Sequence, residues 1–180
     1  LIHAAAGGVG TYMCQWANYL GCKIVGTVST KKKAEWAAEN GCTYPVIVGK
    51  DDFVTKARHV TEGKGIVVCY DSVGKDTFKK SLECLMPYGL MVSFGQSSGR
   101  VPPIDVLNLA RGSLFLTRPT LNLYKSDRNE LFNSANEIFE AIKAGALKPK
   151  ITEQIPLKDA AKAHNLLESR KTMGSIILKP

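Results

Sequence analysis

The sequence predicts an α/β fold, namely a doubly wound, parallel sheet of six strands with helices on both faces. Short apolar runs alternate with amphipathic helical segments along most of its 180 residues. The apolar runs are continuous rather than alternating, which is typical of parallel strands covered on both faces. Repeated strand–helix–strand units with short loops form such sheets through right-handed crossovers.

Six runs have the length and composition of buried strands. The predicted strands are Leu1–Ala5, Lys23–Val28, Tyr44–Val48, Gly65–Asp71, Gly89–Gly95 and Ser113–Thr117. Amphipathic helical segments separate the first five of them. The first of these helices is expected to bury the face formed by Val9, Met13, Trp16, Ala17 and Leu20. The next three are predicted at Lys31–Asn40, from a cap at Asp51 or Asp52 to Val60, and at Lys75–Leu85.

The pattern changes after the sixth strand. Asp127 and Glu130 have capping-box spacing, which predicts a long helix that ends at about Ala144. A strand, a helix and a last strand then follow. These three elements are predicted at Lys150–Ile155, Lys158–Ser169 and Ser175–Lys179. This tail need not join the parallel sheet, and it has the character of a segment that returns into a second domain.

Composition excludes several classes of protein. The apolar runs are far shorter than the roughly 20 residues that a membrane-spanning helix needs. The net charge of +8 is spread along the chain, and the one cationic run is Lys31-Lys32-Lys33. A nucleic-acid protein more often shows a basic stripe with interleaved aromatics. RNA binding is therefore left open but is not favoured.

The cysteines and histidines predict neither a disulfide framework nor a metal site. Five cysteines stand singly, without a C-x-x-C pair, which is typical of reduced thiols in a cytoplasmic protein. They are Cys14, Cys22, Cys42, Cys69 and Cys84, and we expect them to be small buried apolar residues. The three histidines, His3, His59 and His164, are widely separated, so no metal is predicted.

A glycine-rich loop, Ala5-Ala6-Gly7-Gly8-Val9-Gly10, follows the first strand and opens the first helix. The Rossmann-type fingerprint for dinucleotides is G-x-G-x-x-G in this context, and Ala5, Gly7 and Gly10 occupy its glycine positions. Gly7 lets the backbone approach a pyrophosphate, and Gly10 lets the helix pack on the strand. Ala5 can make the turn if its φ stays negative. The helix N-terminus then faces the phosphates, so the loop predicts dinucleotide binding.

The end of the second strand predicts which dinucleotide is bound. An NAD site carries an acidic residue there, about 20 residues beyond the loop, to hold the ribose 2′-hydroxyl. This chain has Ser29, Thr30 and the cations Lys31 to Lys33 instead. Hydroxyls and cations suit the charged 2′-phosphate of NADPH. The missing acid also argues against a methyltransferase, whose sheet is similar.

The whole pattern resembles the cofactor domain of the medium-chain dehydrogenase/reductase superfamily. It is most similar to the zinc-free quinone oxidoreductases, the zeta-crystallin-like branch. The segments that carry the resemblance run in the family's order over essentially the whole chain. They are HAAAGGVG, GTVSTKKKAE, YDSVGKDTF, LMVSFGQSSG, GSLFLTRPTL and LESRKTMG. The resemblance implies an NADPH-dependent reductase that transfers hydride to a quinone or to an activated alkene, such as an enone, or a carbonyl.

The resemblance also implies which residues contact NADPH. Gly7, Gly8 and Val9 would contact the pyrophosphate, and Ser29 with Lys33 would contact the 2′-phosphate. Further contacts are implied at the ribose for Ser72, at the nicotinamide for Phe94, Gly95 and Leu116, and elsewhere on the cofactor for Arg170. Val48-Gly49 stands where the family often carries an aromatic residue or a histidine near the adenine, so adenine stacking is not implied.

Members of this family begin with a GroES-like catalytic domain. The present chain opens directly on a strand without Met, so we expect it to be a C-terminal fragment. Residues 1–148 would be the NADP-binding Rossmann domain, and residues 149–180 the segment that returns into the GroES-like domain. No catalytic residue is then expected in this chain. The resemblance further implies a homodimer formed through the sheet edge near Ser113–Thr117.

Other functions are weighed against this one. A non-catalytic module that binds NADPH or RNA is the alternative. Tyr19 and Lys23 have the spacing of a short-chain dehydrogenase pair, but Gly21 interrupts the helix between them. No P-loop motif is present. Asp71 lies at a strand end, where catalytic groups gather, yet we expect it to bond loop backbone. His164 is interpreted as an ordinary residue of an amphipathic helix.

Overall fold

A parallel sheet forms the centre of the protein in a computed structural model, which describes residues 1–180. Its regular strands are β1 (Val25–Val28), β2 (Tyr44–Ile47), β3 (Ile66–Asp71), β4 (Leu85–Ser93) and β5 (Phe115–Thr117). Ile2 bridges β1 and β3 by parallel pairing with Gly26 and Tyr70. The order across the sheet is therefore β2, β1, Ile2, β3, β4, β5. The predicted doubly wound α/β fold is confirmed, and its strand order reverses at Ile2.

The first predicted strand, Leu1–Ala5, is reduced to this one bridging residue. Its backbone still bonds to both neighbours, because the Ile2 N–H donates to Val25 O and the Tyr70 N–H donates to Leu1 O, both at 2.9 Å. Ala4 then adopts a φ of +53°, which is incompatible with an extended strand. The chain thus turns away from the sheet two residues earlier than the apolar pattern predicts.

Eight helices accompany the strands, and several begin at side-chain caps. They are α1 (Gly8–Tyr19), α2 (Lys31–Glu39), α3 (Phe53–Val60), α4 (Phe78–Cys84), α5 (Leu107–Ala110), α6 (Leu121–Tyr124), α7 (Arg128–Lys143) and α8 (Ala160–Glu168). Of the two candidate caps of α3, Asp52 is the one that accepts the Thr55 N–H. Asp127 caps α7 as predicted, accepting two N–H groups of its first turn.

Helix α1 does not bury the face that its apolar residues predict. Gly10, Thr11, Cys14 and Gln15 are its buried residues. Val9 is 60% exposed and Leu20 is 63% exposed, so the predicted inner face is wrong at both ends. The reason is the close approach of the helix to the chain before it, which only small residues permit. Met13, Trp16 and Leu20 instead line an open apolar groove beside β3.

The core surrounds the central strands. β1 is buried along its whole length, as a parallel strand covered on both faces should be. Four cysteines are buried as predicted, while Cys22 is exposed, which corrects that expectation. Cys22 follows the end of α1 and lies at the rim of the open groove.

The tail forms a small sheet of its own. Strands β6 (Ile151–Pro156) and β7 (Ser175–Lys179) pair with each other in parallel, separately from the central sheet. A 3-10 turn (Leu157–Asp159) and α8 connect them. None of the helices combines the length and apolarity needed to cross a membrane.

Candidate functional site

The glycine-rich loop is shaped by close packing at Gly10. A Cβ at this position would lie 2.3 Å from Ala4 O and 2.8 Å from Ala5 Cα, so any side chain would collide with backbone. Gly10 therefore permits close packing of α1, here on the turn that follows Ile2 rather than on a regular strand. Ala5 has a negative φ, which is the condition under which alanine can replace the first glycine of the fingerprint. The residue of this turn in the left-handed region is Ala4.

The start of α1 is open to an anion. Gly7 occupies the N-cap position without a side-chain hydrogen bond, and the first turn carries no acidic residue. Its first N–H groups therefore lack intrahelical partners, and they coincide with the positive end of the helix dipole. Gly8 and Val9 lie in this turn, with the Val9 side chain directed to solvent.

Lys33 and Arg170 meet at the start of α2, although 137 residues separate them. The Lys33 ammonium donates to Arg170 O at 2.6 Å, and partial burial lowers the pKa of this lysine. The Arg170 guanidinium donates to Ser97 O at 2.9 Å. Arg170 has a φ of +57°, an uncommon conformation for a residue with a side chain. Ser29 is exposed just before this helix.

The turn that leads into β7 lies against the glycine-rich loop. The Gly174 N–H donates to Ala6 O at 3.1 Å. A Cβ on Gly8 would lie 3.4 Å from Gly174 O, in ordinary contact. The glycine-rich loop, Lys33 and Arg170 therefore lie together at the carboxyl ends of the strands, a region called the cleft below. Ligands bind at this end of open parallel sheets.

Asp71 organises the loop after β3. It is fully buried, and its Oδ1 accepts the N–H groups of Val73 at 2.7 Å and Gly74 at 3.0 Å. The Thr77 hydroxyl donates to Asp71 Oδ2 at 2.8 Å. The expectation that Asp71 bonds loop backbone is confirmed.

The loop after β4 packs directly on the loop after β3. A Cβ on Gly95 would lie 2.4 Å from Ser72 O, so this contact requires glycine. The Phe94 N–H donates to Asp71 O at 2.9 Å. The structure thus brings Ser72, Phe94 and Gly95 together. Leu116 lies on the neighbouring strand β5, where it pairs with Met91 and is partly exposed.

Sequence reasoning missed Arg118, which follows β5. Its Nη1 donates to Ser93 O at 2.6 Å and to Gly95 O at 3.2 Å. It thereby holds the carbonyl groups at the end of β4 and places a cation next to Gly95. The available signal was a basic residue directly after the last strand of the sheet, where site residues gather.

His3 is buried directly beneath the glycine-rich loop, with 1% of its surface exposed. Its Nδ1 lies 2.9 Å from Thr27 Oγ1, and its Nε2 lies 2.7 Å from Ser81 Oγ. Burial lowers the pKa of His3 to about 4, against the opposing effect of the Asp71 carboxylate. The ring is therefore neutral at physiological pH.

This depressed pKa predicts a pH-dependent stability. The unfolded chain takes up a proton at His3 near pH 6.5, whereas the folded chain does so only near pH 4. The contribution of His3 is therefore complete above pH 6.5 and is lost as the pH falls towards 4, by about 3 kcal/mol in total. Urea unfolding at several pH values should show this loss. His3→Gln should lack it, and an identical pH dependence in both proteins would contradict the assignment.

Comparison with known proteins places the chain in a family. Residues 8–142 match the family model described as zinc-binding dehydrogenase. Quinone oxidoreductase 1 of Escherichia coli (strain K12) is 48% identical over 184 residues, which cover 100% of this chain and 56% of that protein. The 2-haloacrylate reductase of a Burkholderia species is 47% identical over 182 residues, covering 100% of this chain and 55% of the relative.

A solved structure agrees with these matches. The crystal structure of Escherichia coli quinone oxidoreductase complexed with NADPH has a TM-score of 0.94 and 47% identity, and the match covers 99% of this chain and 56% of that one. The chain thus spans about half the length of the relatives it matches. On the family match and the shared fold, the chain belongs to the zinc-binding dehydrogenase family.

Proposed function

We propose that this chain is the cofactor-binding part of an NADPH-dependent reductase that transfers hydride to a quinone or to an activated alkene or carbonyl compound. The observation that carries the proposal is the contact between Lys33 and Arg170 beside the glycine-rich loop, whose Ala6 carbonyl accepts the Gly174 N–H. The relatives named quinone oxidoreductase and 2-haloacrylate reductase support the class of substrate.

The phosphate groups of NADPH would lie at the start of α1 and beside Ser29 and Lys33. Gly7, Gly8 and Val9 would bind the pyrophosphate through the open N-terminus of α1, because no side chain caps it. Ser29 and Lys33 would bind the 2′-phosphate. No carboxylate at the end of β1 competes for those groups or repels that charge.

The remaining contacts lie along the carboxyl ends of the central strands. Ser72 would adjoin the ribose of NADPH. Phe94, Gly95 and Leu116 would frame the nicotinamide. Arg170 would contact the cofactor from the turn that leads into β7. NADPH supplies the hydride, and the residues of this chain bind and orient it, which such a transfer needs more than a dedicated base. We therefore assign no catalytic residue to this chain.

The residues of this chain do not fit a zinc ion, although the family's description names one. No group of three or more histidine, cysteine, aspartate or glutamate side chains is arranged to hold a metal. Both ring nitrogens of His3 have hydroxyl partners, and both carboxylate oxygens of Asp71 accept hydrogen bonds from this chain. We propose that the reaction proceeds without zinc in this part of the protein, and no step is assigned to a metal.

We further propose the assembly and setting of the protein. Residues 1–148 would form the NADP-binding domain, and residues 149–180, which hold the separate sheet of β6 and β7, would belong to a GroES-like domain. Edge strand β5 has a free side, and its Phe115 is 60% exposed, which supports a homodimer formed along this edge. The free thiols support a cytoplasmic location.

Titration of the full-length protein with NADPH and with NADH, followed by nicotinamide fluorescence, tests the function. We expect NADPH to bind at least about 10-fold more tightly, because the 2′-phosphate adds charge-assisted hydrogen bonds. The ratio of the Kd for NADH to the Kd for NADPH should fall at high salt, since part of the preference for NADPH is electrostatic. Absence of NADPH binding would refute the proposal. Salt-sensitive RNA binding that nucleotides leave unchanged would favour the alternative, a nucleic-acid module with the charge of +8.

A further inference from the structure

A chain of buried hydrogen bonds runs beneath the cleft. It starts at Thr27 on β1, passes through His3 to Ser81 on α4, and reaches the Thr77 carbonyl, to which the Ser81 hydroxyl donates at 2.8 Å. The Thr77 hydroxyl continues to Asp71. All five residues are buried, and no buried polar side-chain atom of the protein lacks a hydrogen-bond partner. Such fully satisfied networks favour a single arrangement of the elements they join.

The direction of these hydrogen bonds assigns the tautomer of His3. The Ser81 hydroxyl has one proton, which it donates to Thr77 O, so Ser81 Oγ accepts from His3 Nε2–H. Nδ1 of the neutral ring then accepts from the Thr27 hydroxyl. In the other tautomer Nδ1–H would donate to Thr27 Oγ1, and the Thr27 proton would have no acceptor, because its other neighbour, the Ala4 N–H, is a donor. The neutral Nε2–H ring alone satisfies every member.

The elements joined in this way are the ones that carry the cofactor loops. His3 directly precedes Ala4 and the glycine-rich loop. Thr27 lies two residues before Ser29. Thr77 and Asp71 hold the loop that contains Ser72. His3 itself is buried, and its ring lies at 84° to that of Phe53, with the ring centroids 5.0 Å apart.

We propose that His3 is a positioning residue for the dinucleotide. As a neutral ring protonated at Nε2, it holds the pyrophosphate loop and the ribose loop in the relative positions that the cofactor requires. The inference rests on the proposed function, since it assigns NADPH to that cleft. If His3 only filled the core, disturbing its hydrogen bonds would lower the stability of the protein. The Kd of the folded protein for NADPH would then stay the same.

Three single substitutions separate these roles. Thr27→Val removes the donor to Nδ1, and Ser81→Ala removes the acceptor of Nε2–H. Thr61→Val is the control, because it too removes a hydroxyl that joins two elements. The Thr61 hydroxyl bonds Ala57 O at 2.7 Å, Arg58 O at 3.3 Å and the Gly65 N–H at 3.0 Å. These groups end α3 and precede β3, away from the cofactor loops.

We expect the Kd for NADPH in the full-length protein to rise about 10-fold in Thr27→Val and in Ser81→Ala, the size of one lost buried hydrogen bond. Thr61→Val should lower the melting temperature similarly and leave that Kd unchanged. Nitrogen-15 spectra of labelled histidine should show His3 protonated at Nε2 alone. In Thr27→Val, they should show a shifted Nδ1 signal that has lost its donor.

Several outcomes would overturn the inference. Unchanged NADPH affinity in both variants would do so, as would an equal loss of affinity in the Thr61→Val control. A wild-type His3 protonated at Nδ1 would contradict the assigned direction of the hydrogen bonds. In each of these cases the wild-type protein still binds NADPH. Failure of the wild-type protein to bind NADPH would instead refute the proposed function, and this inference with it.

Discussion

Replacing Gly10 by alanine is expected to destabilise the protein by at least about 3 kcal/mol, at or beyond the upper end of ordinary overpacking effects. The added Cβ would collide with backbone atoms of Ala4 and Ala5, which cannot turn aside as a flexible side chain can. Helix α1 would have to move outwards, and the loop at its start would move with it. NADPH binding should therefore fall together with stability.

The direction of the stability change in Gly10→Ala distinguishes steric collision from helix propensity. Helix propensity alone predicts the opposite, since alanine is about 1 kcal/mol more favourable than glycine inside a helix. Gly21→Ala is a matched control, because Gly21 has a φ of +78° but open space around its Cβ position. Its cost should be only the conformational strain, about 1–2 kcal/mol. Urea unfolding measures both variants, and a stabilised Gly10→Ala protein would show that the helix does not approach the backbone of Ala4 and Ala5 this closely.

Lys33→Glu is expected to raise the Kd for NADPH about 100-fold, because a cation that pairs with the 2′-phosphate becomes an anion that repels it. The Kd for NADH should change less than about 3-fold, since that cofactor has no 2′-phosphate and a surface charge elsewhere contributes little. Loss of the contact from Lys33 to Arg170 O affects both cofactors alike. The ratio of the two Kd values therefore isolates the role of the charge.

Lys32→Glu provides the control for Lys33→Glu. Lys32 adjoins Lys33 in the same helical turn but is exposed and forms no hydrogen bond with its side chain. The same change of net charge there should alter the Kd for NADPH much less, and the difference should shrink with salt. Fluorescence titrations with both cofactors supply the measurement. Equal losses of NADPH and NADH in Lys33→Glu would remove the assignment of the 2′-phosphate to this residue.

Most elements of the fold could be predicted because their signals are local. Apolar runs bounded by glycines predict β3, and the acidic cap at Asp52 predicts α3. The inner face of α1 could not be predicted in this way. Val9 and Leu20 are apolar, yet the steric need for small residues near Gly10 sets the rotation of the helix. Hydrophobic periodicity does not record how closely two backbones approach.

The candidate site also has features that the sequence predicts and features that it does not. Lys33 and the glycine-rich loop could be found from their order along the chain. The partners of Asp71 could also be expected, because they lie within six residues of it. The sequence did not predict the bonds of Arg118 to the end of β4, nor the hydrogen-bond network around His3. The residues bonded to Arg118 and to the His3 ring lie 23 to 78 residues away from them, and no local pattern marks such pairs.

The sequence by itself determined the α/β class, the order of the strands and helices, and a dinucleotide loop followed by cations in place of an acid. Each of these depends on residue spacing over a few turns or one strand. The tertiary structure decided that Lys33 meets Arg170, that Gly95 must be glycine, and that His3 is neutral under the loops. These features depend on distances and burial between segments far apart in the chain, which arise only when the sheet assembles.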